Sequence, residues 1–332
     1  MKRVPLTGTI LFVLAVALAG FRQVEILHIY SNAPLRDFAM TPDSRYLIAV
    51  GDSTKVYDWN TRKVVAEKIE VLRDGRVVLL PGGGSAVFAT PGAIKVRKIP
   101  SLEPMHSSTL SGRPTALALS HDGTRLAVAS CLQEVTQGNY VYCANSNVSL
   151  VDLNGDSTLK TWDGGEDKVT ALQFTADDSH LLAGICADSR KTEFGHDCTD
   201  GRAVAWDTGT FEESGRSPAF GKTALDIALS PDNSAVAVAT RSIKMTLLSL
   251  PNLKPLSVQL PESQAVGRVI FSLDGKTLYG SSRDRIRAWS WPSGKLLSRT
   301  GVFRIQTLRW SANRKQLLAG NDDGDLFVFD VN

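Results

Sequence analysis

The sequence predicts an all-β chain folded as a β-propeller, a ring of seven four-stranded antiparallel blades. Three observations carry that expectation. A short motif returns seven times, as Thr41-Pro42-Asp43, Leu80-Pro81-Gly82, Ser120-His121-Asp122, Thr175-Ala176-Asp177, Ser230-Pro231-Asp232, Ser272-Leu273-Asp274 and Ser311-Ala312-Asn313. Its first residues are spaced 39, 40, 55, 55, 42 and 39 apart, and a period near 40 residues is that of one propeller blade. Alternating apolar runs flank each motif, and the chain has a spare strand at its start where its last repeat lacks one.

In chain order, Val24 to Tyr30 is the orphan strand, expected to close the ring as the missing outer strand of the last repeat, whose third strand ends at Asp330. The blades are expected near residues 35–70, 77–110, 115–162, 169–218, 225–260, 267–300 and 304–331. In each, an alternating first strand precedes the motif, such as Thr115 to Leu119 or Val169 to Phe174. Proline, aspartate and glycine in the motif then form the corner. A second strand of small apolar residues follows, such as Leu126-Ala127-Val128-Ala129 or Ala235 to Ala239. A third ends in an aromatic residue or aspartate, as in Lys55 to Asp58, Ser149 to Asp152, Ala203 to Asp207 and Leu326 to Asp330. A variable fourth strand follows turns such as Thr208-Gly209-Thr210. The second repeat departs most from this pattern, with Pro81-Gly82-Gly83-Gly84 at its corner. No linker divides residues 22–332, which read as one domain.

On these residues the chain resembles the WD-repeat family and its bacterial relatives, over about residues 35–331. The match is degenerate: Trp206-Asp207 is the one literal Trp-Asp pair ending a third strand, and the opening Gly-His dipeptide is missing. The resemblance implies a scaffold whose turns between second and third strands share a binding face. It does not imply the family's histidine network.

Residues 1–19 read as a secretory signal peptide. Lys2 and Arg3 precede the apolar run Ile10 to Ala19, which ends in Ala17-Leu18-Ala19 with cleavage expected after Ala19; an uncleaved anchor is the alternative. The run is shorter than the ~20 residues that span a bilayer. No transmembrane span is expected after cleavage, and the mature protein is placed in the periplasm or outside the cell. The formal charge is +3 for the whole chain, and it falls by the two charges of Lys2 and Arg3 on cleavage. Neither value favours nucleic acid or anionic membrane as partner.

Four cysteines agree with export. Cys131 and Cys143 stand 12 apart, as do Cys186 and Cys198, both pairs between second and third strands where other repeats have tight turns. The repeated register favours two local disulfides, each stapling the base of a long hairpin; free thiols and cross-blade bridges are the alternatives. Their loops hold Tyr140 and Tyr142, and Arg190, Lys191 and Phe194, residue types suited to protein contact. Arg241, Arg283 and Arg285 lie on the same expected face, with Asp188, Glu193, Asp197, Asp200 and Asp284 interleaved to offset their charge.

Catalytic patterns are sparse. His28, His106, His121, His180 and His196 fall in separate elements, and no Cys-x-x-Cys or Gly-x-Ser-x-Gly is present, so no metal ligands, catalytic residues or cofactor are assigned. Asn321-Asp322-Asp323-Gly324-Asp325 reads as a hairpin turn before a calcium loop, because the later glutamate is missing. The expected function is an exported, non-enzymatic interaction scaffold that binds a protein or peptide through the face carrying the stapled loops. The alternative is an exported propeller enzyme or small-ligand-binding protein, lactonase-like, using the mouth of the axial channel.

Overall fold

A computed structural model of the chain describes residues 21–31, 33–69, 75–193, 195–240, 244–302 and 304–331. The expected signal segment, Phe194 and Arg241 lie outside them. Strands, turns and loops make up the described residues, with no helix among them. The chain is all-β, with four-stranded antiparallel blades in a propeller arrangement. The first blade runs Asp37–Met40, Tyr46–Val50, Thr54–Asp58, Lys63–Lys68, each strand paired to the next.

The hydrogen-bonded ladders count five separate four-stranded blades, not the expected seven. The strands of the third and fourth repeats run on into one eight-stranded sheet instead. A single parallel pairing, Gly165 with Cys186, joins the two halves. The cause is local: Ser157–Gly165 extends far enough to reach the neighbouring repeat, where Glu166 N–H donates to Cys186 O at 2.9 Å. Gly165, at φ 86°, is needed there, since a Cβ would lie 1.9 Å from that carbonyl oxygen. Around the axis, the first strands of successive repeats lie against one another, and that of the last lies against that of the first.

The recurring motif has one physical explanation. In the first repeat the Thr41 hydroxyl donates to Asp43 Oδ1 (2.6 Å). Arg45 N–H donates to the same oxygen (3.0 Å), and Tyr46 N–H to Thr41 Oγ1 (2.9 Å). The same three bonds recur around Ser120, Thr175 and Ser230. They recur again around Ser272, and around Ser311 with Asn313 as acceptor. Only the second repeat, with Leu80 and Gly82, lacks the side chains. It keeps the backbone bond shared by all seven corners, from the N–H of the motif's fourth residue to the carbonyl of its first, here Gly83 to Leu80 at 3.0 Å. That fourth residue has positive φ in every repeat: Ser44, Gly83, Gly123, Asp178, Asn233, Gly275 and Arg314. This is a turn with a left-handed residue that widens the hairpin.

At five of the seven corners the same left-handed residue touches the corner of the preceding repeat, and its identity follows what it meets. Where the preceding motif has proline, which has no N–H to satisfy, the residue is glycine: a Cβ on Gly83 would lie 2.5 Å from Pro42, one on Gly123 2.4 Å from Pro81, and one on Gly275 3.6 Å from Pro231. At two further corners the motif offers an N–H and the residue carries an acceptor. Asp178 accepts from His121 N–H (2.9 Å) and Asp122 N–H (3.1 Å), and Asn233 accepts from Ala176 N–H (3.2 Å). These five corners are thus matched to their neighbours, while in the last repeat Ala312 N–H donates to Met40 Sδ instead.

Third-strand aspartates terminate their strands by accepting backbone N–H groups ahead of them, as Asp207 does from Gly209 (2.8 Å) and Thr210 (2.7 Å). Trp206 is buried and stacks on Trp162 of the preceding repeat, with ring centroids 4.8 Å apart. Second strands such as Ala235–Thr240 are buried along their whole length, which explains their small residues. At the start of the chain, Phe21–His28 pairs antiparallel with Asp325–Val331, completing the last repeat as a four-stranded sheet. The strand ends two residues earlier than Tyr30, which leaves the sheet so that its buried hydroxyl donates to Ala49 O (3.0 Å) and Ser53 O (2.5 Å).

Candidate functional site

The cysteines form two disulfides, Cys131–Cys143 and Cys186–Cys198, with Cα–Cα distances of 5.7 and 5.9 Å. Bonds of this kind persist in an oxidising compartment. The first staples the hairpin of Arg125–Gln137 and Tyr140–Asp152. Register shifts at Gln133 let the two cysteines approach, although Cys131 stands opposite Ser146 in the ladder. The second disulfide holds the small hairpin Ser189–Thr192 and Gly195–Cys198 against the end of His180–Cys186.

The two stapled loops pack on each other. Tyr142 stacks on His196 with ring centroids 4.2 Å apart, and Gln137 Nε2 donates to Thr192 O at 3.0 Å. Ser189 Oγ lies 3.0 Å from His196 Nδ1 and donates to Glu166 Oε2 at the same distance. A single wall results, in which Tyr140, Val141 and Leu132 are exposed, Tyr140 and Val141 on opposite faces of the first hairpin.

The other expected surface residues are divided. Arg190 is exposed but reaches Asp197 (3.3 Å), which also accepts from Lys222 (2.6 Å). The Lys222 hydrogen bond is the main reason that the Asp197 carboxyl is held below the usual range. Arg285 pairs with Asp284 at 2.6 Å. Lys191 and Arg283 are exposed. The interleaved acids Asp197 and Asp284 therefore offset two members of the basic arc, Arg190 and Arg285.

The histidines do not converge. His28, His106 and His121 lie against Asp325, Asp156 and Asp178 respectively, three separate places. Among the described residues no three His, Cys, Asp or Glu side chains are grouped as a metal site needs. Asn321 Oδ1 accepts from Asp323 N–H (3.0 Å) and Asp325 N–H (2.7 Å), the geometry of a turn.

Beside the stapled wall opens the mouth of the axial channel, a cavity of about 500 Å³ that His196, Asp197 and Lys222 help to line, with Arg36, Arg76 and Arg268 further in. Arg76 also lines the cavity at the opposite mouth, together with Asp226 and Arg309, so it stands at the waist between them. The alternative reading of the sequence points to this mouth but names none of these arginines and aspartates for it. The signal lay in register: the residue four before each motif is Asp37, Arg76, Ala116, Ala171, Asp226, Arg268 and Thr307, one position per repeat. The two aspartates act alike, Asp37 accepting from Val77 N–H (3.2 Å) and Asp226 from Val269 N–H (3.0 Å), each on the first strand of the next repeat. Burial is the main influence on the charged groups of this layer, raising the pKa of Asp226 and lowering those of Arg76 and Arg268.

Compared with known proteins, the chain matches no family model, and no curated protein is significantly similar to it.

Proposed function

We propose that this chain is an exported, non-enzymatic interaction module that binds a protein or peptide through the face carrying the two stapled loops. The observation that carries the reading is the composite wall itself. Two insertions from different repeats, each with its own disulfide, are joined by the Tyr142–His196 stack, and the first of them exposes Tyr140 and Val141 on its two faces, with Leu132 near its base. Rigid loops that present aromatic and aliphatic side chains on a β scaffold suit partner recognition.

The chain is read as a degenerate WD-like propeller of seven blades, with the eight-stranded sheet counted as two blades bridged by one residue pair. The seven matching corners and the continuous ring of first strands support that count. Export through a signal peptide ending at Ala19 is supported by the two disulfides. Among the described residues no helix is long and apolar enough to cross a membrane.

The test is affinity capture from the exported fraction of the native cells, with wild type compared with a Tyr140→Ser, Val141→Ser double variant. A partner that wild type retains and the variant loses at least tenfold is the expected result. Equal recovery of the same partner by both proteins removes the wall from consideration.

A further inference from the structure

We propose that the waist of the axial channel binds a small oxyanion, a carboxylate or a phosphate, between Arg76 and Arg268, with Arg36 and Arg309 adding positive charge. This site is separate from the wall and does not depend on its role.

The first argument is unmet hydrogen-bonding capacity. A guanidinium has five N–H donors. Among the described residues the side chain of Arg76 makes one long hydrogen bond, 3.4 Å to the neighbouring carbonyl of Gly75, and the residue remains partly accessible. Arg268 is tied more firmly, with Nε donating to Gln306 O and Nη1 to Leu225 O at 2.7 Å. That leaves its Nη2 without a protein acceptor among the described residues. One arginine is therefore held in place by the backbone of neighbouring repeats, and the other keeps nearly its whole donor set free of acceptors among the described residues.

The second argument is charge. Four arginines face two aspartates within electrostatic range of Arg76 and Arg268. Both aspartates are engaged elsewhere. Asp37 accepts from Val77 N–H, from the Thr307 hydroxyl (3.3 Å) and from Arg309 (3.1 Å). Asp226 accepts from Val269 N–H and Ile227 N–H. Neither Arg76 nor Arg268 has a carboxylate within 4 Å among the described residues. A doubly charged oxyanion supplies the missing counter-charge, and the planar guanidinium matches it with two parallel hydrogen bonds.

The third argument is access. The mouth cavity reaches both arginines and is large enough for a phosphate or a tricarboxylate. Asp167, Asp197 and Asp322 stand at that mouth and oppose an incoming anion. Two of them are partnered: Asp197 takes Lys222, and Asp167 accepts from the Thr223 hydroxyl at 2.6 Å.

Isothermal titration at fixed low ionic strength, with inorganic phosphate and citrate injected separately into the full protein, tests the site. Saturable one-to-one binding of at least one anion is expected, and which of the two binds identifies the ligand as phosphate-like or carboxylate-like. Arg76→Gln should weaken it at least tenfold. Arg76→Lys keeps the charge but loses the fork, and should weaken it severalfold. Tyr140→Ser, on the wall, should leave it unchanged. Absence of saturable binding with both anions overturns the proposal, as does unchanged affinity in Arg76→Gln. Should that variant not fold, unchanged affinity in Arg76→Lys overturns it equally.

Discussion

Asp177 Oδ1 accepts three hydrogen bonds: from the Thr175 hydroxyl (2.6 Å), from Ser179 N–H (3.1 Å) and from the Ser179 hydroxyl (2.8 Å). These bonds, the Thr175 hydroxyl first, hold its carboxyl down at about 2, and Asp122 is held at about 2 in the same way by Ser120 and Thr124. A carboxylate whose folded pKa lies below its unfolded value contributes stability that is complete above the unfolded value, near pH 4. That contribution is lost as pH falls through the folded value, near 2. Urea midpoints measured from pH 6 to pH 2 should therefore decline below about pH 4. Asp177→Ala should cost about 1 kcal/mol at pH 6, the net worth of a corner hydrogen bond set on an exposed turn. Asp177→Asn should cost less than half of that, because Asn313 performs the same task in the last repeat, where it accepts from Ser311 at 2.7 Å. Equal losses in the two variants would show that charge, not hydrogen bonding, makes the aspartate useful.

At the scale of elements, the corners form a matched set. The Pro42–Gly83 and Pro81–Gly123 contacts are followed by the His121–Asp178 and Ala176–Asn233 hydrogen bonds and then by the Pro231–Gly275 contact. Proline at position 121 removes one of the two N–H groups that Asp178 accepts, and glycine at 178 removes the acceptor. The proline alone costs Asp178 its bond from residue 121 and the glycine alone strands the His121 N–H, whereas the pair recreates the combination found at 81 and 123. A double-mutant cycle of His121→Pro and Asp178→Gly should give a favourable coupling of about 1 kcal/mol by urea unfolding. Additive losses would dissolve the idea of matched corners. The seven corners were legible in the sequence because each is local, its bonds closing within five residues of chain. The partner of each corner was not, since Asp178 meets His121 across 57 residues. The arginine layer escaped for a related reason. Its members occupy one register position, but only four of the seven carry charge, and Asp37 and Asp226 offset Arg76 and Arg268 in any sum. The stapled loops were read from the repeated spacing of 12, yet their stacking through Tyr142 and His196 depends on how neighbouring repeats sit side by side.

For the whole molecule, the first strand decides whether the last repeat has an open edge. Phe21–His28 covers one side of Asp325–Val331, and Gln316–Asn321 covers the other. Glu25 in that first strand also accepts both Nε (3.1 Å) and Nη2 (2.7 Å) of Arg62, so the strand ties the last repeat to the first as well as sealing it. Without residues 21–28, the N–H and C=O groups along one side of Asp325–Val331 lose their partners, beside side chains such as Leu326 and Val328 that are now buried. An unpaired edge of this kind recruits other strands, including those of other copies. The deletion should therefore lower the melting temperature by about 10 °C or more, the consequence of losing several kcal/mol in a chain of this size. Light scattering should detect association that increases with concentration. A synthetic peptide of residues 21–28 added in excess should pair with the vacated edge and recover part of both losses, because strand addition supplies the same ladder in trans. An unchanged melting temperature in a monodisperse deletion variant would mean that the remaining strands hold the ring shut by packing alone.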